Sequence, residues 1–341
     1  MSGDGEGTLP RFVRARLGAA PPAASFRAAP EDYAAWRANA LALFRAAVMP
    51  APGPATVTSG DPATLGRFTL TPLRATFAHG DGADGARLVL SGTRPRRAIL
   101  LLHDHGGMFD IGWEKGFPVP AASAWQARLY GGLSPAAVLA EAGFAVVSFD
   151  ALGWGGRTVG DPAGQQALAA NLMQAGLTLA GVVAAEDIAL AAWLAGEADA
   201  VSAFGFSFGG FRAFQLAALS DAVGAAAAIS WMGRRADLIV PGNSMAAGQS
   251  VYYTLHPALA GALDFPDLAG LAAPKPLFLR TGMADRHFPA RTVRAAYADI
   301  AAIYHAAGAS RQLDADRFEG AHVCPPAILG AAAEFINLPP G

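Results

Sequence analysis

Short runs of uncharged, mostly apolar residues recur along the chain from residue 98 onward, and helical segments lie between most of them. The runs cover residues 98–102, 144–149, 201–204, 224–229 and 276–279. An apolar run of this length is typical of a strand that is buried on both faces. The intervening helical patterns cover residues 134–142, 165–196, 208–220 and 291–307. This alternation predicts the α/β class, with a mostly parallel central sheet and helices on both faces.

The chain divides into an N-terminal extension, residues 1–66, and a main α/β domain, residues 67–341. In the extension the apolar spacing predicts one helix over residues 31–48, followed by a Pro/Gly-rich connector over residues 50–66. The main domain opens with a predicted antiparallel pair, residues 68–77 and 86–90. Residues 232–272 interrupt the alternation with many prolines and glycines, and they predict an irregular cap segment over the site.

Composition narrows the classes of partner. Hydrophobic residues make up 53% of the 341 residues, the formal net charge is −2, and no apolar run approaches the roughly 20 residues that cross a bilayer. With no basic block either, we expect neither a nucleic acid nor a membrane as partner. The single cysteine excludes an internal disulfide, and residues 1–22 lack the apolar core of a signal peptide, so we expect a cytoplasmic location. The composition fits a monomer and a homo-oligomer equally well.

The turn at residues 205–209, with the letters GFSFG, follows one apolar run and precedes a helical pattern. This strand-turn-helix context makes Ser207 a candidate nucleophile, because the sharp turn exposes its hydroxyl above the sheet edge. Glycine at 205 and 209 avoids the clash that a β-carbon would cause there. The start of the helix directs N–H groups towards developing negative charge.

A serine nucleophile needs a base and a group that orients the base. Asp285 follows the run at 276–279, and His322 follows a predicted last strand at 312–318, so both come in the order that such sites require. The alternative acids, Asp264 and Asp267, precede the required strand and are interpreted as turn or cap residues. Of the other histidines, His79 is placed in a hairpin turn, His305 in a helix and His256 in the cap segment, and His287 lies too close to the acid. His103 and His105 belong to a separate loop near residue 104.

The loop after the first apolar run contains His103, Asp104 and His105, and its position is typical of an oxyanion-binding loop. We expect one backbone N–H from Asp104 or His105 and a second from Phe208 to bind the oxyanion. The pair of histidines also suggests a metal site. No further His, Asp or Cys cluster supports it, so neither a metal nor another cofactor is expected.

Aromatic and sulphur-containing side chains near the ends of other strands are candidates for the substrate pocket. Trp154 lies in the glycine-rich loop after the run at 144–149, and Trp231 and Met232 follow the run at 224–229. His287 lies two residues after the candidate acid. We expect these four to line the pocket, with a small-molecule ester as the substrate.

Several segments together resemble the dienelactone-hydrolase and acetylxylan-esterase-like branch of the α/β hydrolases. The resemblance covers most of residues 67–337 and rests on the segments LLHDHGGMFDIGWEKG, FAVVSFDALGWGGR, GFSFGGFRAFQLAAL, PGNSMAAGQSVYYTLHP and DFPDLAGLAAPKPLFLRTGMADRHFP. It implies an α/β-hydrolase fold and a carboxyl-ester hydrolase with Ser207, Asp285 and His322 at the triad positions. Dienelactone hydrolases usually carry a cysteine nucleophile. This chain has serine there, and its lone Cys324 is interpreted as a packed residue.

The resulting hypothesis is a serine esterase that works through an acyl-enzyme. Two alternatives remain open at this point. The same site could serve acyl transfer, lyase chemistry or carbon–carbon bond hydrolysis, because fold and triad do not specify the bond. A non-catalytic binding protein with a relic site is the other.

Overall fold

The apolar runs form the parallel part of a ten-stranded sheet in the computed structural model, which describes residues 10–18, 20–28, 32–240, 242–243, 245–246 and 251–337. Residues 1–9 of the N-terminal extension and 247–250 of the cap segment lie outside the described residues. The strands are β1 Ala55–Ser59, β2 Ala63–Leu65, β3 Phe68–Phe77, β4 Gly82–Leu90, β5 Arg97–Leu102, β6 Ala145–Phe149, β7 Ala200–Phe206, β8 Val223–Ile229, β9 Leu277–Gly282 and β10 Leu313–Phe318.

The sheet has two parts with different pairing. Strands β1 to β4 pair antiparallel, with β2 also on β3, and β4 joins antiparallel to β6. From there the order β6-β5-β7-β8-β9-β10 is parallel throughout. The predicted α/β class with a mostly parallel central sheet is therefore confirmed. Because parallel strands all end at the same edge, the loops after β5 to β10 meet there.

Helices cover both faces of the sheet. They are α1 Arg11–Gly18, α2 Tyr33–Ala46, α3 Ser123–Leu129, α4 Pro135–Glu141, α5 Pro162–Gln174, α6 Leu179–Ala195, α7 Phe208–Leu219, α8 Arg235–Leu238, α9 Phe265–Gly270, α10 Ala290–Ala306 and α11 Pro326–Asn337. One hydrophobic core joins α2, α6, α7, α9 and α10 to the sheet. A second core on the opposite face joins α3, α4 and α11 to it.

The helical pattern at residues 165–196 forms two helices instead of one, α5 and α6, whose axes differ by 85°. Gly176 adopts φ 77°, which ends α5, and the Thr178 side chain accepts a hydrogen bond from the Gly181 N–H at 2.9 Å, which begins α6. Across the described ranges no single helix is long and apolar enough to cross a membrane. This bent pair passes that test only together, by length and composition.

The N-terminal extension contributes more structure than the one helix and connector predicted for residues 1–66. Its described residues include a second helix, α1, and residues 55–65 supply β1 and β2 to the sheet edge. The threonines and valine of β1 favour an extended backbone. The interpretation as a connector rested on the prolines and glycines of this segment and did not weigh those residues. Further upstream, the Ser25 hydroxyl and the Phe26 N–H both donate to Asp267 Oδ1 at 3.0 Å.

Helix α2 buries one side in the main core, and its Phe44 is fully buried against the edge of the His256 ring, with ring centres 5.7 Å apart. Phe44→Ala is therefore expected to lower the free energy of unfolding by about 3–5 kcal/mol, as for other buried phenylalanines. The exposed neighbour provides the control: Arg45→Ala should stay within about 0.5 kcal/mol of the wild type. Urea unfolding of both variants measures this. A loss below about 1 kcal/mol for Phe44→Ala would show that the extension packs independently of the core.

Candidate active site

Ser207 lies in a sharp turn between β7 and α7, with φ 55° and ψ −120°. A side chain rarely adopts this left-handed backbone, and holding it there costs about 1–3 kcal/mol. The neighbouring glycines are required because other backbone segments approach these positions closely. A β-carbon at Gly205 would collide with the backbone of Gly209, and one at Gly209 would collide with the backbone of Leu102 in the neighbouring strand. The turn thus raises the serine hydroxyl above the carboxyl edge of the sheet.

The three predicted triad residues form one hydrogen-bonded chain. His322 Nε2 lies 2.8 Å from Ser207 Oγ, and His322 Nδ1 lies 2.7 Å from Asp285 Oδ2. A carboxylate only accepts hydrogen bonds, so Nδ1 carries the proton towards Asp285. Nε2 is then the free acceptor that faces the serine hydroxyl. This is the tautomer that can remove the serine proton.

Asp285 is held in place independently of the histidine. Its carboxylate is buried, and Oδ1 accepts the backbone N–H of His287 at 2.8 Å. The His287 ring packs edge-on against the His322 ring, with centres 4.7 Å apart. Burial and the neighbouring His322 lower the pKa of His287, so His287 stays neutral beside the triad.

The competing acids have structural roles in α9. Asp264 and Asp267 form a capping box at the start of that helix. Asp264 also binds Arg27 in an ion pair of 3.0 Å. Their placement agrees with the interpretation as turn or cap residues.

The loop after β5, residues 103–107, is fixed by its own imidazoles. His103 Nε2 accepts the Ala151 N–H at 3.0 Å, so Nδ1 donates to the Asp104 carbonyl oxygen at 2.9 Å. His105 Nδ1 accepts the Gly107 N–H at 2.8 Å, and Nε2 faces the Gln165 side-chain oxygen at 3.3 Å. Burial lowers the pKa of both rings, that of His105 to about 4, so both are neutral. Among the described residues no three His, Cys, Asp or Glu side chains could hold a metal ion together.

Asp104 is a buried carboxylate beneath this loop. Its Oδ2 accepts from the Tyr130 hydroxyl at 2.7 Å and from Trp125 Nε1 at 3.1 Å. The Lys115 ammonium lies on the same side of the loop and donates to the carbonyl oxygens of Asp104 and His105 at 2.8 and 2.9 Å. Phe208 is the first residue of α7, where a backbone N–H has no partner within the helix, and its ring centre lies 6.3 Å from that of His103.

A cavity of about 720 Å³ opens above Ser207 and His322. The loop after β5, the cap segment and the loop after β9 contribute to its walls; the lining residues include Asp104, His105, Trp231, Tyr253, Arg286 and His287. Trp231 and His287, two of the four candidate pocket residues, are among this lining. Two guanidinium groups, those of Arg128 and Arg286, also line the cavity.

Trp154 and Met232 do not line this cavity, so their prediction as pocket residues is corrected. Both side chains are fully buried. Trp154 packs under the start of α7, with its ring 5.0 Å from that of Phe208 and 5.8 Å from that of His103. The sequence places Trp154 at the correct sheet edge, but its ring fills the space beneath the cavity and packs against the residues that form the bottom of it.

Sequence reasoning missed the buried groups under the loop, above all Lys115, Trp125 and Tyr130. They come from the segment between β5 and β6, which shows no regular apolar period. One signal was present: lysine occurs only twice in the chain, and one of the two follows the loop by eight residues.

Comparisons with known proteins identify the fold. A candidate acetyl xylan esterase from Bacteroides fragilis superposes with a TM-score of 0.69 at 17% identity, over 91% of this chain and 82% of that one. A glucuronoyl esterase from Solibacter usitatus gives 0.62 at 14% identity, over 88% and 91%. Acetyl xylan esterase 1 from Thermoanaerobacterium sp. JW/SL YS485 gives 0.54 at 17%, over 96% and 98%. No family model matches the sequence, and no curated protein does. The chain has the α/β-hydrolase fold, as the resemblance implied.

Asp150, at the end of β6, generates a pH-dependent prediction. Its carboxylate accepts the N–H groups of Trp113 at 3.0 Å and Gly156 at 2.8 Å, yet burial raises its pKa to about 7. A carboxyl pKa raised on folding contributes stability that is full below about pH 4 and is lost as the pH rises to 7. We therefore expect the stability advantage of the wild type over Asp150→Asn to shrink by about 1–3 kcal/mol between pH 5 and pH 8.

Urea unfolding of both proteins at the two pH values measures this difference. Asp61→Asn, at an exposed position, is the control and should leave the pH dependence unchanged. An advantage that is constant or grows with pH contradicts the assignment of a raised pKa to Asp150.

Proposed function

We propose that the protein is a carboxyl-ester hydrolase that uses Ser207 as its nucleophile and passes through an acyl-enzyme. The chain of two hydrogen bonds from Asp285 through His322 to the Ser207 hydroxyl is the observation that carries this proposal. It combines a nucleophile, a base in the correct tautomer and a buried orienting carboxylate. The names of the similar structures, all esterases, support the same reaction type.

In the first half-reaction His322 Nε2 accepts the Ser207 proton while Oγ attacks the ester carbonyl carbon. The imidazolium that forms keeps its Nδ1 proton on Asp285, whose negative charge stabilises it at 2.7 Å. The Nε2 proton then passes to the alkoxide oxygen as the ester C–O bond breaks. The alcohol leaves, and the acyl group remains on Ser207.

The negative charge on the former carbonyl oxygen requires donors that face it in the transition state. The Phe208 N–H, at the start of α7, is one, and the loop of residues 103–107 supplies the other from across the cavity. Both sides are rigid, because α7 packs on Trp154 and the loop is bound to Lys115. Each such donor is worth about 10²–10³ in turnover.

In the second half-reaction water enters the cavity and loses a proton to His322 as it attacks the acyl carbon. Collapse of that intermediate returns the proton to Ser207 and releases the carboxylic acid. The cavity of about 720 Å³ leaves room for water beside an acyl group. Because three similar structures are named as esterases of xylan acetate or glucuronoyl esters, carbohydrate esters come first in a substrate panel.

The direct test is the hydrolysis of p-nitrophenyl acetate by a Ser207→Ala variant. Loss of the nucleophile should lower kcat by at least about 10⁴-fold, because the remaining groups only bind and polarise the ester. Ser220→Ala is the matched control, at the opposite end of α7, and should keep kcat within about twofold. A folded Ser207→Ala enzyme with turnover near the wild-type value would overturn the proposal.

A further inference from the structure

The chain contains only two lysines, and both donate to pairs of backbone carbonyl oxygens. Lys275 Nζ binds the carbonyls of Ala217 at 2.9 Å and Ser220 at 2.7 Å, at the end of α7. Those carbonyls have no partner within the helix, so a cation there has an ordinary capping role. Lys115 binds two carbonyls in an irregular loop beside Ser207, where no helix end requires it.

Lys115 is an unusual cation because it is fully buried and, within the part of the chain that the structure describes, forms no ion pair. Burial of an ammonium group costs several kcal/mol unless hydrogen bonds satisfy it. The two carbonyl oxygens and the face of the Trp125 ring, 5.5 Å from Nζ, are its close contacts. The loop conformation and the buried charge thus stabilise each other.

The carbonyl contacts determine where the adjacent N–H groups point. In a planar trans peptide the C=O and the N–H of the next residue point in opposite directions. With the carbonyls of Asp104 and His105 directed at Lys115, the N–H groups of His105 and Gly106 are directed away from it. Both residues line the cavity together with Ser207, and neither N–H donates a hydrogen bond to a described group.

We propose that Lys115 is the positioning residue of the oxyanion site: it holds two peptide planes so that the N–H groups of His105 and Gly106 face the acyl oxygen that becomes the oxyanion. This inference rests on the proposed ester hydrolysis at Ser207. It also selects among the donors expected from the sequence, because the N–H of His105 is oriented by this contact and that of Asp104 is not. Lys115 acts through the loop and does not touch the substrate.

The charge on Lys115 strengthens the same donors. A cation on a carbonyl oxygen polarises the peptide and increases the positive charge on its N–H hydrogen. Such a donor binds an alkoxide more tightly than a neutral ester oxygen, so the effect appears in kcat rather than in KM. A dependence of kcat on the Lys115 charge therefore distinguishes positioning of the donors from simple support of the loop.

The test compares Lys115→Met with Lys275→Met, which removes the same kind of lysine–carbonyl pair at the far end of α7. Lys115→Met should lower kcat for p-nitrophenyl acetate about 10²–10³-fold with KM within about threefold. The same substitution should weaken the binding of phenylboronic acid, which forms a tetrahedral adduct on serine, by a similar factor. Lys275→Met should keep both values near wild type, and Lys115→Arg should restore part of kcat.

Two results would overturn the proposal. One is a folded Lys115→Met enzyme with kcat within about threefold of wild type, and the other is a loss of kcat that Lys275→Met reproduces. A wild-type enzyme without Ser207-dependent turnover would instead contradict the proposed function and leave the loop geometry unaffected, so the two failures are distinguishable.

A measurement on the wild type covers the case in which Lys115→Met does not fold. With only two lysines, selective ¹⁵N labelling of lysine resolves the titration of each ammonium by NMR, and burial lowers the pKa of Lys115 to about 8. The charged and titratable groups around it are Asp104, Asp110, Glu114, Asp150, His103, His105 and, across the Trp125 ring, Arg128. As the pH rises and Lys115 loses its proton, kcat should fall severalfold, and the midpoint of that fall should coincide with the midpoint of the Lys115 titration. A kcat that stays constant through that titration contradicts the proposal.

Discussion

The backbone at Ser207 has φ 55°, and the arrangement of the site depends on the packing that holds this turn. Strand β7 lies in the middle of the parallel strands, so β5 and β8 flank the turn on both sides. The backbones of Leu102 and Ile229 leave no space for side chains at 209 and 210, and helix α7 can begin only because those residues are glycine. The strain at one residue, about 1–3 kcal/mol, is offset by the burial of α7 between the sheet and the helices around it.

A second feature is the set of ionisable groups buried beside that turn. Asp104, Lys115 and Asp150 all lie under the loops that end β5 and β6, and each is nearly or fully buried. Their partners are mostly backbone groups: Lys115 binds carbonyls, and Asp150 binds N–H groups. Buried polar groups that bind peptide N–H and C=O groups fix loop conformations that apolar packing alone would leave free. A preorganised set of donors is what stabilisation of an oxyanion requires.

The sequence predicts the parallel strands in their order along the chain, and it names Ser207, Asp285 and His322 as one candidate set, for a physical reason. Buried parallel strands need continuous apolar runs, and the chemistry of serine needs His322 and Asp285 in a fixed order, so both leave local patterns. The break between α5 and α6 was missed because the alanine-rich pattern continues across it, although Gly176 and Thr178 end one helix and begin the next. Lys115 was not singled out and Trp154 was assigned to the pocket wrongly, because a loop sequence does not show on which side of the loop each side chain lies.

The acyl-enzyme is the central intermediate of the proposed reaction, and its direct detection is the most decisive measurement. The protein is mixed with p-nitrophenyl acetate, or with a p-nitrophenyl carbamate whose acyl group leaves serine slowly, and quenched in acid within milliseconds to seconds. Peptide mass spectrometry then locates any transferred acyl group. We predict one acyl group on the peptide that contains Ser207, formed at least as fast as turnover and absent from Ser207→Ala. Release of p-nitrophenol with no acyl group on Ser207 from either reagent would contradict the mechanism.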